Sequence, residues 1–128
     1  MLAADLLATY RQAAAEREAL GVPPLPLSAE QTQALTELLA APPAGEEAFL
    51  LELLSERIPP GVDEAAYVKA SWLAAVARGE VTSPLLSPVE AVRLLATMIG
   101  GYNVGALIEL LGSADAAIAE AAAEGLSR

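Results

Sequence analysis

The segment from residue 58 to residue 80 reads IPPGVDEAAYVKASWLAAVARGE and contains the clearest signals of the tertiary arrangement. Two prolines and a glycine interrupt any preceding helix, and Asp63 stands at an N-cap position before a run of helix formers. The run predicts a helix over 64–78. Its apolar residues form two stripes at helical spacing, which are Val68/Trp72/Val76 and Ala66/Ala70/Leu73/Ala77. We therefore expect neighbours on both sides of this helix and place it at the centre of the fold.

Outward from this segment, all nine prolines lie between stretches of helical periodicity. Ser28, followed by Gln31, suits a capping box, and Ser87 precedes a first-turn proline. Apolar stripes at 35/38/39, 49/50/53/54 and 94/95/98/99 predict inward faces. The proline spacing gives a helix pair of about 36 residues, near the ~40-residue period of HEAT repeats. The predicted helices are 2–20, 29–40, 45–57, 64–78, 88–99, 104–111 and 114–125.

The expected fold is therefore an all-α, HEAT-like right-handed solenoid of about seven helices in antiparallel pairs, as one domain over residues 1–128. Composition agrees, because 51 of the 128 residues are alanine or leucine. The chain has neither cysteine nor histidine. Thiolate metal sites, iron–sulfur ligation and Ser–His–Asp or Cys–His catalysis are thus excluded for this chain.

The net charge is −10, and the seven basic residues are scattered along the sequence. We expect no nucleic-acid partner for such a chain, because nucleic-acid binding depends on clustered positive charge. No apolar run approaches the ~20 residues of a membrane span, and the first residues lack the basic region of a signal peptide. We expect a cytoplasmic protein that contacts no membrane.

Three sets of residues are candidates for chemistry. The carboxylate pairs Glu46-Glu47 and Asp63-Glu64 could act as acid and base, but both fall in predicted first turns, where negative charge stabilises a helix. The string at 100–103 (GGYN) could hold an anion, yet it has no Walker spacing. We interpret it as a tight turn with positive φ at one or both glycines, with Asn103 as helix cap and Tyr102 between helices. Trp72 is interpreted as core, and Tyr67 and Lys69 as helix surface.

The strings at 42–47 (PPAGEE), 58–70 (IPPGVDEAAYVKA) and 100–103 (GGYN) resemble the N-terminal HEAT-like domain of bacterial aconitate hydratase B. The likeness continues through Gly79-Glu80, Ser83–Leu86 and Thr97-Met98, and covers roughly residues 7–126. Two departures stand out. The family tends to have a histidine just after GGYN, where this chain has Val104, and its last helix usually continues beyond the end of this one.

This resemblance implies a parent enzyme with aconitate hydratase and 2-methylisocitrate dehydratase activities, whose catalytic domains hold a [4Fe–4S] cluster on cysteines. It implies that the present domain is a non-catalytic α-helical solenoid that docks on those catalytic domains, supports dimerisation and helps to form a substrate channel. Its partner would be the catalytic domains or a second copy of itself. No catalytic, cofactor-binding or metal-binding residue is carried over to this chain.

The two most distinctive turn strings suggest where the partner surface lies, because loops carry function more often than cores do. The candidate partner surface consists of ten residues: Pro59, Pro60, Gly61, Val62, Tyr67, Lys69, Gly100, Gly101, Tyr102 and Asn103. Alternatively, these strings only meet the conformational requirements of their turns and contact no partner. Two other hypotheses stay open, namely a free-standing or designed helical scaffold without activity and an enzyme that uses the paired carboxylates.

Overall fold

The computed structural model describes residues 1–127, and these residues are all-helical. A short 3-10 helix, Ala3–Asp5, precedes seven α-helices and the described chain contains no β-strand. The α-helices are α1 Leu6–Ala19, α2 Ala29–Ala40, α3 Glu47–Glu56, α4 Glu64–Arg78, α5 Pro88–Ala96, α6 Val104–Leu110 and α7 Ala116–Leu126. The all-α prediction and the number of helices are confirmed.

The helices contact one another in the order that stacked helix pairs require. Consecutive helices pack as α2 with α3, α4 with α5 and α6 with α7, while α2 also contacts α4, and α5 contacts α7. The three pairs begin at Ala29, Glu64 and Val104, which are 35 and 40 residues apart. Each pair therefore buries its apolar faces against the next pair, as expected for a solenoid-like fold.

Helix α4 lies between α2 and α5, as the sequence predicts for a central helix. The stripe of small residues and Leu73 is buried throughout. On the other stripe, however, only Val76 is buried, whereas Val68 and Trp72 are half-buried at the edge of the core. Trp72 thus covers the core from one side and does not fill it.

Side chains fix several helix starts where the sequence places them. Ser28 and Gln31 form a reciprocal capping box at α2, and Ser87 and Glu90 form another at α5. Asp63 accepts a hydrogen bond from the backbone N–H of Ala65 at 2.8 Å and so caps α4. These bonds satisfy amide groups that a helix start would otherwise leave without partners.

The predicted inward face at residues 94–99 is correct only in its first part. Leu95 is fully buried, but Ile99 is 63% exposed. Helix α5 ends at Ala96, and the N–H groups of Thr97 and Met98 turn back to Leu94 and Leu95. Ile99 therefore lies in the turn that follows, where helical spacing no longer decides which way a side chain points.

Candidate functional site

The turn before α4 and the turn before α6 meet at their glycines. Gly61 and Gly100 have φ values of +87° and +98°, and Gly101 has +94°, so the expected positive φ in the second turn is confirmed. The backbones of Gly61 and Gly100 touch so closely that a Cβ atom on Gly100 would overlap the carbonyl group of Gly61. We call residues 59–62, 100–103 and Tyr67 the double turn.

Two tyrosines hold the double turn together on its outer side. The hydroxyl of Tyr102 donates a hydrogen bond of 2.9 Å to the backbone carbonyl of Val62. Its ring meets the ring of Tyr67 edge-on, with 5.3 Å between centroids and a 75° angle between planes. Both rings remain open to solvent, and Val62 is 72% exposed. Tyr102 thus bridges two turns, and the expectation that it lies between helices is wrong.

Asn103 stands at the N-cap position of α6, as predicted, but its side chain makes no capping hydrogen bond there. Its side chain is buried, and its amide nitrogen donates to the carbonyls of Leu95 at 2.8 Å and Met98 at 3.2 Å. Leu95 lies in the last turn of α5, where helices leave backbone acceptors without partners, and Met98 lies in the turn that follows α5. The side-chain amide of Asn103 therefore fixes the turn from its buried side, because it donates to carbonyl groups that precede the turn and not to α6.

Lys69 is the one lysine of the sequence, and it is buried, so the expectation of a surface lysine is wrong. It lies one helical turn after Ala66 and one turn before Leu73, on the buried stripe of α4. This helical spacing is the sequence feature from which the burial of Lys69 could be predicted. Its side chain lines a cavity of about 180 Å³ between the end of α3 and the end of α5. Burial lowers the pKa of Lys69, and the charge of Glu56 opposes that effect.

The paired carboxylates serve as helix starts. Asp63 caps α4, and Glu64 is exposed in its first turn. Glu46 is bound by both terminal nitrogens of Arg11, at 3.2 and 2.5 Å, and this hydrogen bonding lowers the pKa of Glu46. Glu47 is exposed in the first turn of α3. These positions match the structural interpretation of both pairs and give no support to acid–base catalysis.

The structure brings together both strings of the predicted partner surface, but not all ten residues face outward. The exposed members are Pro60, Val62, Tyr67, Gly100, Gly101 and Tyr102, while Pro59 and Gly61 are half-buried. Lys69 and Asn103 are buried, so their side chains lie beneath this surface. Sequence reasoning missed Ile99, which is exposed and stands at the rim of the Lys69 cavity.

The described residues show no group of three or more acidic side chains placed to share a metal ion. Since the sequence has no cysteine, it can supply no thiolate to an iron–sulfur cluster. Within residues 1–127 no helix is both long and apolar enough to cross a membrane.

Comparison with known proteins gives one consistent result. Residues 9–128 match the family described as the aconitate B N-terminal domain. The chain is 60% identical over 123 residues to an aconitate hydratase B of Synechocystis and 59% identical over 122 residues to one of Escherichia coli, which is 96% and 95% of this chain. A Helicobacter pylori aconitate hydratase B is 46% identical over 122 residues, 95% of this chain. The chain spans about 14% of the length of each of these curated relatives.

Proposed function

Because the chain belongs to the aconitate B N-terminal domain family, we propose that it is a non-catalytic docking domain of an aconitate hydratase B. The double turn is the surface that contacts the rest of the enzyme. The observation that carries this proposal is the exposed apolar cluster of Val62, Tyr67 and Tyr102, fixed in place by two turns about 40 residues apart. Rigid, exposed aromatic side chains are typical anchors of protein interfaces.

The geometry of the double turn supports docking through preorganisation. The glycine contact and the hydrogen bond from Tyr102 to Val62 fix the backbone of both turns before a partner arrives. A fixed surface loses less conformational entropy on binding than a flexible loop does. The cluster also lies at one edge of the stacked pairs, where turns of a solenoid form a continuous rim.

Further roles follow for a docking domain of this family. By holding the catalytic domains in place, it supports dimerisation and helps to enclose a substrate channel. The [4Fe–4S] cluster of the parent enzyme belongs on those other domains, and the partner is the catalytic part or a second copy of this chain. We propose a cytoplasmic location together with this function.

Docking is tested by mixing the 128-residue chain with the Synechocystis relative produced without its matching region, and measuring binding by titration calorimetry and light scattering. The V62D/Y67A variant should bind at least about ten-fold more weakly, because it places a charge in the contact and removes an aromatic anchor. The matched control is L25D, which changes a 61% exposed leucine outside the double turn and should bind like the wild type.

Circular dichroism first establishes that all three chains are folded. Equal binding by wild type and V62D/Y67A would place the interface elsewhere, and no binding by the wild type would contradict docking. A doubled mass of the chain alone would favour the second copy as partner. Hydration of cis-aconitate by the chain alone, above a blank, would contradict its non-catalytic role.

A further inference from the structure

We propose that the cavity beside Lys69 is a binding site for a carboxylate group, with the Lys69 ammonium as its counter-ion and the Ser55 hydroxyl as a second donor. The site lies beneath the double turn, between the end of α3 and the end of α5. It goes beyond docking, because it needs only this chain and a carboxylate.

The first observation is a buried cation that forms no ion pair and no side-chain hydrogen bond among the described residues, although the negative charge of Glu56 is near enough to favour its charged form. Lys69 is 7% exposed, and none of the ion pairs among residues 1–127 includes it. Every described side-chain nitrogen or oxygen that is shut off from solvent has a hydrogen-bond partner. Because the Lys69 nitrogen has none, it must keep contact with solvent, and the cavity that it lines offers that contact. An incoming anion would meet a positive charge whose contact with water is confined to the cavity, and ionic hydrogen bonds are strong at such a site.

The other residues around the cavity indicate what kind of anion fits. Ser55 is exposed and lines the cavity, so its hydroxyl is available as a donor, whereas the hydroxyl of Thr97 donates to the carbonyl of Leu94 at 2.6 Å. The remaining walls are apolar and are supplied by Ile58, Pro59, Pro60, Met98 and Ile99. One cation and one hydroxyl match the two oxygens of a carboxylate, and the walls match the carbon chain attached to it.

A phosphate fits this cavity less well. Phosphate sites usually supply an arginine fork or several backbone N–H groups at a helix start. The charged lining here is a single lysine, a point charge on a flexible stem. A singly charged, flat group with an apolar attachment is thus the best match. It can come from a free small carboxylate or from an aspartate or glutamate side chain of a polypeptide.

Because the sequence has one lysine, a chain with ¹³C-labelled lysine gives a single set of ε-carbon signals in NMR spectra. Sodium acetate is titrated against sodium chloride at equal ionic strength. Acetate should shift the Lys69 signal saturably, with half-saturation on the order of 10 mM. It should also raise the pKa of Lys69, because a bound carboxylate favours the ammonium form. The R93K variant adds an exposed lysine to the same spectrum as a reference, and its signal should follow ionic strength alone.

Two variants test the assigned donors. S55A should weaken acetate binding by about three- to ten-fold, the loss expected for one hydrogen bond to a charged group. K69M keeps the length and apolar stem of the side chain, so the fold should persist, and the backbone amide signals of Ser55 and Ile99 should no longer respond to acetate. A folded S55A variant suffices for the test if K69M does not fold.

Two more probes identify the source of the carboxylate. Binding of tricarballylate at least ten-fold tighter than acetate would assign the site to a free polycarboxylate. Equal binding of acetate and N-acetylglutamate N-methylamide, without gain from tricarballylate, would assign it to a protein side chain. A Lys69 signal that responds to acetate no more than the exposed reference lysine does would overturn the proposal, whether or not the chain docks on an enzyme.

Discussion

At the residue scale, Gly61 and Gly100 are the positions on which the double turn depends. Position 100 requires glycine for two reasons. Its φ is +98°, and the backbone of Gly61 occupies the place where a Cβ atom would lie. Gly101 shares the positive φ, yet nothing lies near the position of its Cβ. Substitutions at these two neighbouring glycines therefore distinguish the cost of backbone strain from the cost of steric overlap.

We predict that G100A is less stable than G101A. Each variant should lose about 1–3 kcal/mol because alanine is strained at positive φ. G100A should lose about 1–3 kcal/mol more, because its methyl group forces the two turns apart. Urea denaturation of both variants measures the difference. Equal midpoints would mean that the turns do not touch in solution.

At the element scale, α4 has the most demanding environment. It packs against α2 and α5, and its buried face consists mainly of alanines, which allow close approach. Helix α7 approaches α5 in a similar way, since a Cβ atom on Gly125 would stand 2.6 Å from the Cβ of Ala96. Between such closely packed helices, neighbouring side chains cannot move to fill the space that a large residue like Leu73 occupies.

We predict that L73A costs about 2–5 kcal/mol of unfolding free energy, because Leu73 is fully buried and the rigid surroundings would leave a cavity. The control is L20A, at the end of α1, where the leucine is 78% exposed and the expected cost is below about 0.5 kcal/mol. Both are measured by chemical denaturation. A similar small loss for the two variants would show that α4 is not central.

At the scale of the whole molecule, side-chain contacts join the first helix to the stacked pairs. Tyr10 packs on Phe49 of α3 with 5.9 Å between ring centroids, and the Arg11 guanidinium lies 4.5 Å from the centre of the same ring. Arg11 also binds Glu46 through two hydrogen bonds. The attachment of α1 to α3 therefore depends partly on the charge of one carboxylate.

We predict that the stability difference between wild type and E46Q depends on pH. Hydrogen bonds from Arg11 lower the pKa of Glu46 in the folded state, so the folded chain binds fewer protons there than the unfolded chain. The contribution of the Arg11–Glu46 ion pair to the free energy of unfolding is complete above the ordinary glutamate pKa of about 4.3. It is lost as the pH falls through the lowered pKa of the folded state.

Thermal melts from pH 7 downward should therefore show wild type above E46Q at neutral pH and a converging pair of melting temperatures in acid. The control is E52Q, because Glu52 is exposed in the middle of α3, away from its first turn, and takes part in none of the ion pairs of residues 1–127. Its difference from wild type should stay nearly constant. A constant difference for E46Q as well would show that the ion pair contributes nothing in solution.

Local features of the sequence account for the helices and for much of their arrangement. Prolines, serine and aspartate caps and the 3.6-residue period act within a few residues of the chain, so α2 and α4 were predicted with their observed bounds. The central place of α4 also followed, because apolar residues on both sides of a helix require two neighbours. Glycines at 61, 100 and 101 were recognised as turn residues for the same local reason.

What these turns and side chains contact depends on packing between segments that are distant in the sequence. The contact of Gly61 with Gly100 and the bond from Tyr102 to Val62 join residues about 40 positions apart, and no local rule fixes such a distance. The Asn103 side chain donates to the preceding helix because α5 ends close to it. Lys69 is buried because residues at the end of α3 and after the end of α5 lie around its side chain. Periodicity tells which face of a helix turns inward, but the packing of other helices determines whether a polar group on that face finds a partner, solvent or a cavity.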